Sequence, residues 1–257
     1  LTRRIQGGRL AKGDIILAKF ENFRRSFAFT LGLSDKLAQI DALRRGKCIL
    51  VTGASGVGKT TLVQNGFNVR FAARTNDKGE FVSTAKMQDY TAAMDDQTLV
   101  LTDTPGDKAR AYELTDKVIR ERIDGAKIQG IINVVASGYT ATSGQDQAPE
   151  FTNAFLEEKI AGDLDFIQNL FSKTLLIEPD VWFITVVNKQ DLWQYSSSGG
   201  LSSYGTGSDY ETIVRRYVSG TLDCVGASSI GEEADFTQLY DSLNRMLPSK
   251  NDKRAAE

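Results

Sequence analysis

Gly53-Ala54-Ser55-Gly56-Val57-Gly58-Lys59-Thr60 follows the apolar run Cys48-Ile49-Leu50-Val51, and the change of character between the two decides the fold. Consecutive apolar residues without polar alternation are what a parallel strand buried on both faces requires. The eight residues after it fit G-x-x-x-x-G-K-[ST] and lead into a helical segment. Glycines at such a strand-to-helix turn let main-chain amides curl inward around phosphate oxygens, and the helix N-terminus adds positive potential. Gly53, Ser55, Gly56, Val57, Gly58, Lys59, Thr60 and Thr61 are therefore the candidate phosphate cradle. Lys59 is placed to reach the β- and γ-phosphates, and the Thr60 hydroxyl to ligate magnesium. Alone, the loop specifies a nucleoside triphosphate and nothing finer. The bland alternative is a glycine-rich turn with no ligand, which the strand context disfavours.

Downstream, strands and helices alternate. Residues 98–102, 131–136 and 181–187 read as strands, 221–225 as a weaker one, and 86–94 is placed to pair antiparallel with 98–102. Residues 108–124, 150–175, 209–218 and 233–247 read as helices, the second with a broad apolar face from Phe151 to Phe171. The order implies a mostly parallel sheet covered by helices on both sides. The Ser/Gly-rich stretch 196–208 reads as a mobile loop without core-forming residues, and 138–149 as another irregular segment. Upstream, Ile16, Leu17, Phe20, Phe23 and Phe27 suit an amphipathic helix, and a second helix runs from Ser34 to a stop at Gly46.

Two further motifs sit at strand ends. Asp103-Thr104-Pro105-Gly106 closes the strand 98–102, where a carboxylate supplies a second magnesium contact and the Gly106 amide has unobstructed approach to a γ-phosphate. By itself such a tetrapeptide is often a turn. Asn188-Lys189-Gln190-Asp191 closes the strand 181–187. Asp191 can accept from guanine N1–H and the 2-amino group, a donor pair that adenine lacks. Asn188 would brace the loop, and the Lys189 stem would cover the base.

Gly53–Thr60, Asp103–Gly106 and Asn188–Asp191 together resemble the G1, G3 and G4 motifs of the translation-factor-related GTPases, a class that includes Ras-like, Era-like, septin and immunity-associated members. The resemblance covers about residues 47–248, and Asp-Thr-Pro-Gly is closer to the Era-like, septin and immunity-associated forms than to Ras. It implies a three-layer α/β/α P-loop G domain that binds GTP or GDP with Mg²⁺. Gly226-Ala227-Ser228 resembles the G5 loop, whose amide meets guanine O6, which makes Ala227 and Ser228 candidate contacts. The resemblance also implies a switch threonine, for which Thr84 is the first choice and Thr75 the second, acting at the metal and in catalysis beside Lys59 and Gly106. Departures matter for rate. Asp107 stands where Ras-like proteins carry a water-orienting Gln, and Gly56 where potassium-activated members carry Asn. Hydrolysis is therefore expected to be slow unless a partner or dimerisation completes the site. Arg70 and Arg74 are candidates to reach the γ-phosphate in cis, although a pair of surface arginines is the plainer reading.

Composition bounds the rest. With 41% hydrophobic and 25% charged residues the chain is an ordinary globular one. It contains no histidine, which removes imidazole acid–base chemistry and the commonest zinc ligand. Cys48 and Cys224 lie in apolar runs far apart, as expected of buried thiols in a reducing compartment. Residues 1–47 hold 11 Lys/Arg against 4 Asp/Glu, and the remainder 20 against 29. A basic, aromatic-rich front on an acidic body suggests an anionic partner. The plainer alternative is that these charges solvate a helix surface or dock on the body.

The organisation expected is a basic amphipathic extension at 1–46, a GTPase domain at 47–248 and a polar tail at 249–257. Its expected role is a guanine-nucleotide switch in the cytoplasm, with the extension placing it at an anionic membrane surface on the cytoplasmic face. A homodimer or an activating protein is the expected partner, and no nucleic acid is. The competing reading is a non-catalytic GTP-binding assembly or scaffold module.

Overall fold

The computed structural model describes residues 48–67, 88–94, 97–106, 128–139, 153–173, 181–193, 200–229 and 234–247, all within the compact unit Ala42–Glu257. Its strands are β1 (Cys48–Thr52), β2 (Gln88–Met94), β3 (Gln97–Asp103), β4 (Ile128–Val135), β5 (Trp182–Val187) and β6 (Leu222–Gly226). They form one sheet in the order β2-β3-β1-β4-β5-β6. Only the β2–β3 pair is antiparallel; the other neighbours run parallel. Each of the five residues of β1 is buried, as its unbroken apolar run demands for a central strand.

The helices are α1 (Lys59–Gly66), α2 (Asn153–Lys173), α3 (Gln190–Trp193), α4 (Leu201–Tyr204), α5 (Asp209–Val214) and α6 (Thr237–Met246). Strand alternation sends Ile49, Val51, Ile184 and Val186 to one face, against Leu62 and Val63 of α1 and Leu239 and Leu243 of α6. Leu50, Ile131, Phe183 and Val187 go to the other, against Phe166, Leu170 and Phe171 of α2 and Tyr204, Tyr210 and Val214 of α4 and α5. The result is three layers, α/β/α. Helix α5 begins where its sequence says it should: Ser208 accepts from the Glu211 amide at 3.0 Å.

Most expected elements are present within a few residues of their predicted ends, including the antiparallel pairing of β2 with β3. The stretch 196–208 needs correction. Its described part, 200–208, contains α4, and Tyr204 is only 1% exposed. The Tyr204 hydroxyl donates to Asp163 Oδ2 at 2.8 Å, and its ring meets Tyr210 edge-on at 5.1 Å. Serines and glycines dominate the count, but Leu201 and Tyr204 carry the packing. The extension 1–46, the helix 108–124 and residues 140–149 and 194–199 lie outside the described residues.

Cys48 and Cys224 form no disulfide and lie on β1 and β6 with two strands between them. Cys48 is buried and Cys224 half-buried. At the β6 edge, the Cys224 amide donates to Asp223 Oδ1 at 2.8 Å and the Gly226 amide to Gln238 Oε1 at 3.0 Å. Asp223 also accepts from Ser242 at 2.6 Å, which fastens α6 to this strand. Among the described residues no helix is long and apolar enough to cross a membrane.

Candidate functional site

Three loops leave the carboxyl ends of β1, β3 and β5, and the chain crosses from one side of β1 to the other between β3 and β4. In open α/β sheets a ligand crevice forms at such a reversal. The loop after β1 depends on glycine at its two ends. Gly53 has φ +137°, and a Cβ there would lie 2.1 Å from Val134 O. Gly58 has φ +91°, and a Cβ there would lie 2.5 Å from Asn188 Nδ2. Gly58 is also the N-cap of α1 and offers no side chain to the first amides of that helix, which stay directed at the loop.

The loop's carbonyls are held from outside. Asn188 Nδ2 donates to Val57 O at 2.9 Å, and Lys189 Nζ to Gly56 O at 3.2 Å. In a trans peptide the carbonyl and the following N–H point in opposite directions. Fixing these two carbonyls therefore turns the amides of Val57 and Gly58 away from the base loop, toward the interior of the curl. The Val57 side chain is fully buried in the core and leaves its main chain to the site.

Lys59 Nζ donates to Ala54 O at 2.9 Å, and Thr60 Oγ1 to Asp103 Oδ2 at 2.7 Å. Asp103 is fully buried, and its Oδ1 has no hydrogen-bond partner. Burial lowers the Lys59 ammonium to about 8, against the pull of Asp103. Burial likewise raises Asp103 above the ordinary carboxylate range, opposed by Lys59 and Thr60. Both groups are charges short of counter-charge, a cation suited to phosphate and an anion suited to a metal. The Thr104 amide donates to Val51 O at 3.0 Å, which ties the end of β3 to β1. Gly106 lies so close to the phosphate loop that a Cβ would sit 2.6 Å from Ser55 Cα and 2.9 Å from Lys59 Nζ.

The third loop is locked to the first. Asn188 is 1% exposed and accepts from Ser229 Oγ at 2.5 Å while donating to Val57 O. Lys189 adopts φ +61° and sends its ammonium to Gly56 O and Tyr139 O. Burial lowers its pKa, with Asp191 opposing. Asp191 Oδ1 accepts from Ser228 Oγ at 2.9 Å, which steadies its carboxylate beside the loop after β6. The main chain of that loop is already engaged. The Ala227 amide donates to Val187 O at 3.1 Å and the Ser228 amide to Asp235 O at 3.0 Å. The amide expected to meet a purine O6 is therefore neither of these in this structure.

The structure thus brings Gly53–Thr61, Asp103, Gly106, Asn188, Lys189, Asp191, Ala227 and Ser228 to one end of the sheet. Thr84, Thr75, Asp107, Arg70 and Arg74 lie outside the described residues. Sequence reasoning missed Tyr139, Trp193 and Ser229. Tyr139 acts through a main-chain carbonyl, which has no sequence signature. Ser229, one residue past the expected loop, shares the Ser228 side-chain chemistry and was legible only as part of a longer serine pair.

Residues 48–164 match the family model described as 50S ribosome-binding GTPase. A search of the curated proteins finds no match. Among solved structures, the chain is similar to a GTP-binding protein from the hyperthermophilic archaeon Sulfolobus solfataricus in complex with GDP, at 14% identity and a TM-score of 0.46, covering 90% of this chain and 61% of that one. It is also similar to a mutation variant of SsGBP, at 12% identity and a TM-score of 0.46, covering 93% and 64%. The chain spans less than two thirds of the length of either structure.

Proposed function

We propose that this chain, a P-loop GTPase, is a guanine-nucleotide switch that hydrolyses GTP slowly and changes partners with the state of its nucleotide. The observation that carries the reading is the direct bonding of the base loop to the phosphate loop, Asn188 to Val57 O and Lys189 to Gly56 O. A ligand spanning both loops needs a base whose edge suits Asp191 and phosphates that suit Lys59, which is a guanine nucleotide. The family match ends before Asn188, so the choice of guanine rests on this geometry. Ser229, the next residue along from the engaged amides, is the better candidate to meet guanine O6.

Chemistry would be attack of water on the γ-phosphate. Lys59 and the inward amides of Val57 and Gly58 neutralise charge that develops on the phosphate oxygens. Gly106, with no side chain, lets its main chain stand against the γ-phosphate. The Thr60 hydroxyl and the partnerless Oδ1 of buried Asp103 fit magnesium, which takes oxygen ligands from one or two protein groups and from phosphates. When bound, it supplies Lewis-acid stabilisation of the phosphates.

Competition between GTP and ATP for labelled GDP tests the base reading, and ATP displacing as well as GTP refutes it. Single-turnover hydrolysis tests the rate, expected on the order of 10⁻⁴ per second for the dilute chain, as for unassisted small GTPases. Asp107 in the water-orienting position favours the second reading, an assembly module that binds GTP without turning it over. Absence of any hydrolysis, with and without candidate partners, would decide for it. The basic residues of 1–46 are proposed to bring the domain to an anionic membrane surface. Replacing Arg3, Arg4, Arg9 and Lys12 by Glu should abolish sedimentation with phosphatidylserine vesicles and leave GDP binding intact.

A further inference from the structure

We propose that Trp193 is a positioning residue for base recognition: its indole N–H fixes the peptide that aims Asp191, so guanine selectivity depends on a group that does not touch the nucleotide. The inference rests on the reading of Asn188–Asp191 as the guanine-specific loop.

The argument begins with Lys189. Its φ of +61° is left-handed, a conformation that residues with a Cβ adopt rarely because Cβ crowds the neighbouring carbonyl. Something must hold it there. The torsion φ of Lys189 is rotation about its N–Cα bond, so it is set by the plane of the peptide joining Asn188 to Lys189. The carbonyl of that peptide, Asn188 O, accepts from Trp193 Nε1 at 2.8 Å. One side-chain bond therefore pins the plane whose rotation defines the unusual torsion. Asp191 lies two residues on, within the same turn, where the Leu192 amide closes on Lys189 O at 2.9 Å and the Gln190 amide on Ala227 O at 3.0 Å. Releasing the peptide plane reorients the turn that carries the carboxylate.

The surroundings leave the indole little freedom. Trp193 is 7% exposed. A Cβ at Gly200 would lie 2.6 Å from its ring, and one at Gly226 3.3 Å from Cη2. The Gly200 amide is itself held by Ser137 Oγ at 2.8 Å, so the ring is wedged between a fixed Gly200, just ahead of α4, and the end of β6. The protein's second indole makes a useful contrast. Trp182 is also buried, but its Nε1 has no hydrogen-bond partner. Burial of a tryptophan here does not by itself bring a bond, and the bond at Trp193 is made to the one carbonyl that controls Lys189.

The test is Trp193→Phe in the full chain, which keeps an aromatic ring and deletes the donor. GDP and IDP affinities are measured side by side, because inosine lacks the 2-amino group that Asp191 is placed to accept from. The ratio of the two affinities should shrink about fivefold, the worth of one net hydrogen bond. A role confined to packing would weaken GDP and IDP alike and leave the ratio where it was, which overturns the positioning role. If the wild-type chain shows no preference for GDP over IDP, the reading of the base loop fails and this inference with it. If W193F does not fold, the two indole N–H resonances of the wild-type chain decide the matter. One should be protected from hydrogen exchange and shift on adding GDP but not pyrophosphate. Rapid exchange of both, or no shift with GDP, overturns the proposal.

Discussion

Replacing Asn188 by Ala severs the bridge between the two loops, and the structure sets the size of the effect. The side chain is 1% exposed, donates to Val57 O at 2.9 Å and accepts from Ser229 Oγ at 2.5 Å. Truncation strands a buried carbonyl and a buried hydroxyl, each costing about 1–3 kcal/mol when left without a partner. The hydroxyl can rotate toward another acceptor and sits at the low end of that range. A loss of about 2–4 kcal/mol is expected, which for a domain of this size lowers Tm by about 5–15 °C. Freeing Val57 O also lets the Gly58 amide leave its inward direction, so GDP affinity should fall by about tenfold, roughly one hydrogen bond to a charged acceptor. Differential scanning fluorimetry and labelled-GDP titration measure the two effects on one preparation. Ser229→Ala removes a single bond, and the double variant should cost less than the sum because the two residues are in contact. A Tm within about 2 °C of wild type together with unaltered GDP affinity would refute the bridging argument.

Asp191→Asn is expected to weaken GDP binding and raise affinity for xanthosine diphosphate, whose carbonyl replaces the 2-amino donor; unchanged base preference in competition assays rules out the assignment. Lys59→Ala should lose most triphosphate affinity in the same titration, since its ammonium is the cation at the phosphate loop that meets both Ala54 O and the Asp103 field. Tyr204→Phe should lower stability to urea by about 1.5–3 kcal/mol, the worth of a hydrogen bond to a carboxylate, and no change would show that the bond to Asp163 contributes nothing net. The Gly207 amide, and then Arg215, hold the Glu211 carboxyl below its ordinary value. Its stabilising effect is complete above that value and is lost as pH falls through the lower folded value. Glu211→Gln should therefore flatten the acid limb of the stability profile, read as midpoint against pH.

The residues that the proposed nucleotide would use could be picked out in the sequence, because phosphate and base demand particular residue types at fixed spacing, and the structure brings them to one end of the sheet. Glycines at 53 and 58, the cation at 59 and the carboxylates at 103 and 191 each answer such a demand. Strand β1 was equally plain, since burial on both faces leaves an unbroken apolar run. What escaped were contacts made by shape across sequence distance. Tyr204 reaches Asp163, forty-one positions away, from a segment whose composition suggests no core at all. Trp193 looks like an ordinary apolar residue after a short motif until its bond to Asn188 O is seen. The amide choice at 227–229 turned on which N–H groups the sheet had already used, and only the pairing register reveals that.

The covered donors along β6 bear on how copies of this chain can associate. A neighbouring molecule extending the sheet at that rim would need the outward amides of Cys224 and Gly226, and both are spoken for by Asp223 and Gln238. Displacing Asp223 would also release Ser242 and Arg245 of α6, which both bond to it. Lateral growth into fibres at this border is thereby discouraged. Pairing by extension of the sheet would instead have to use the opposite border, whereas pairing across the loops above the strand ends would bring a second copy within reach of a bound nucleotide.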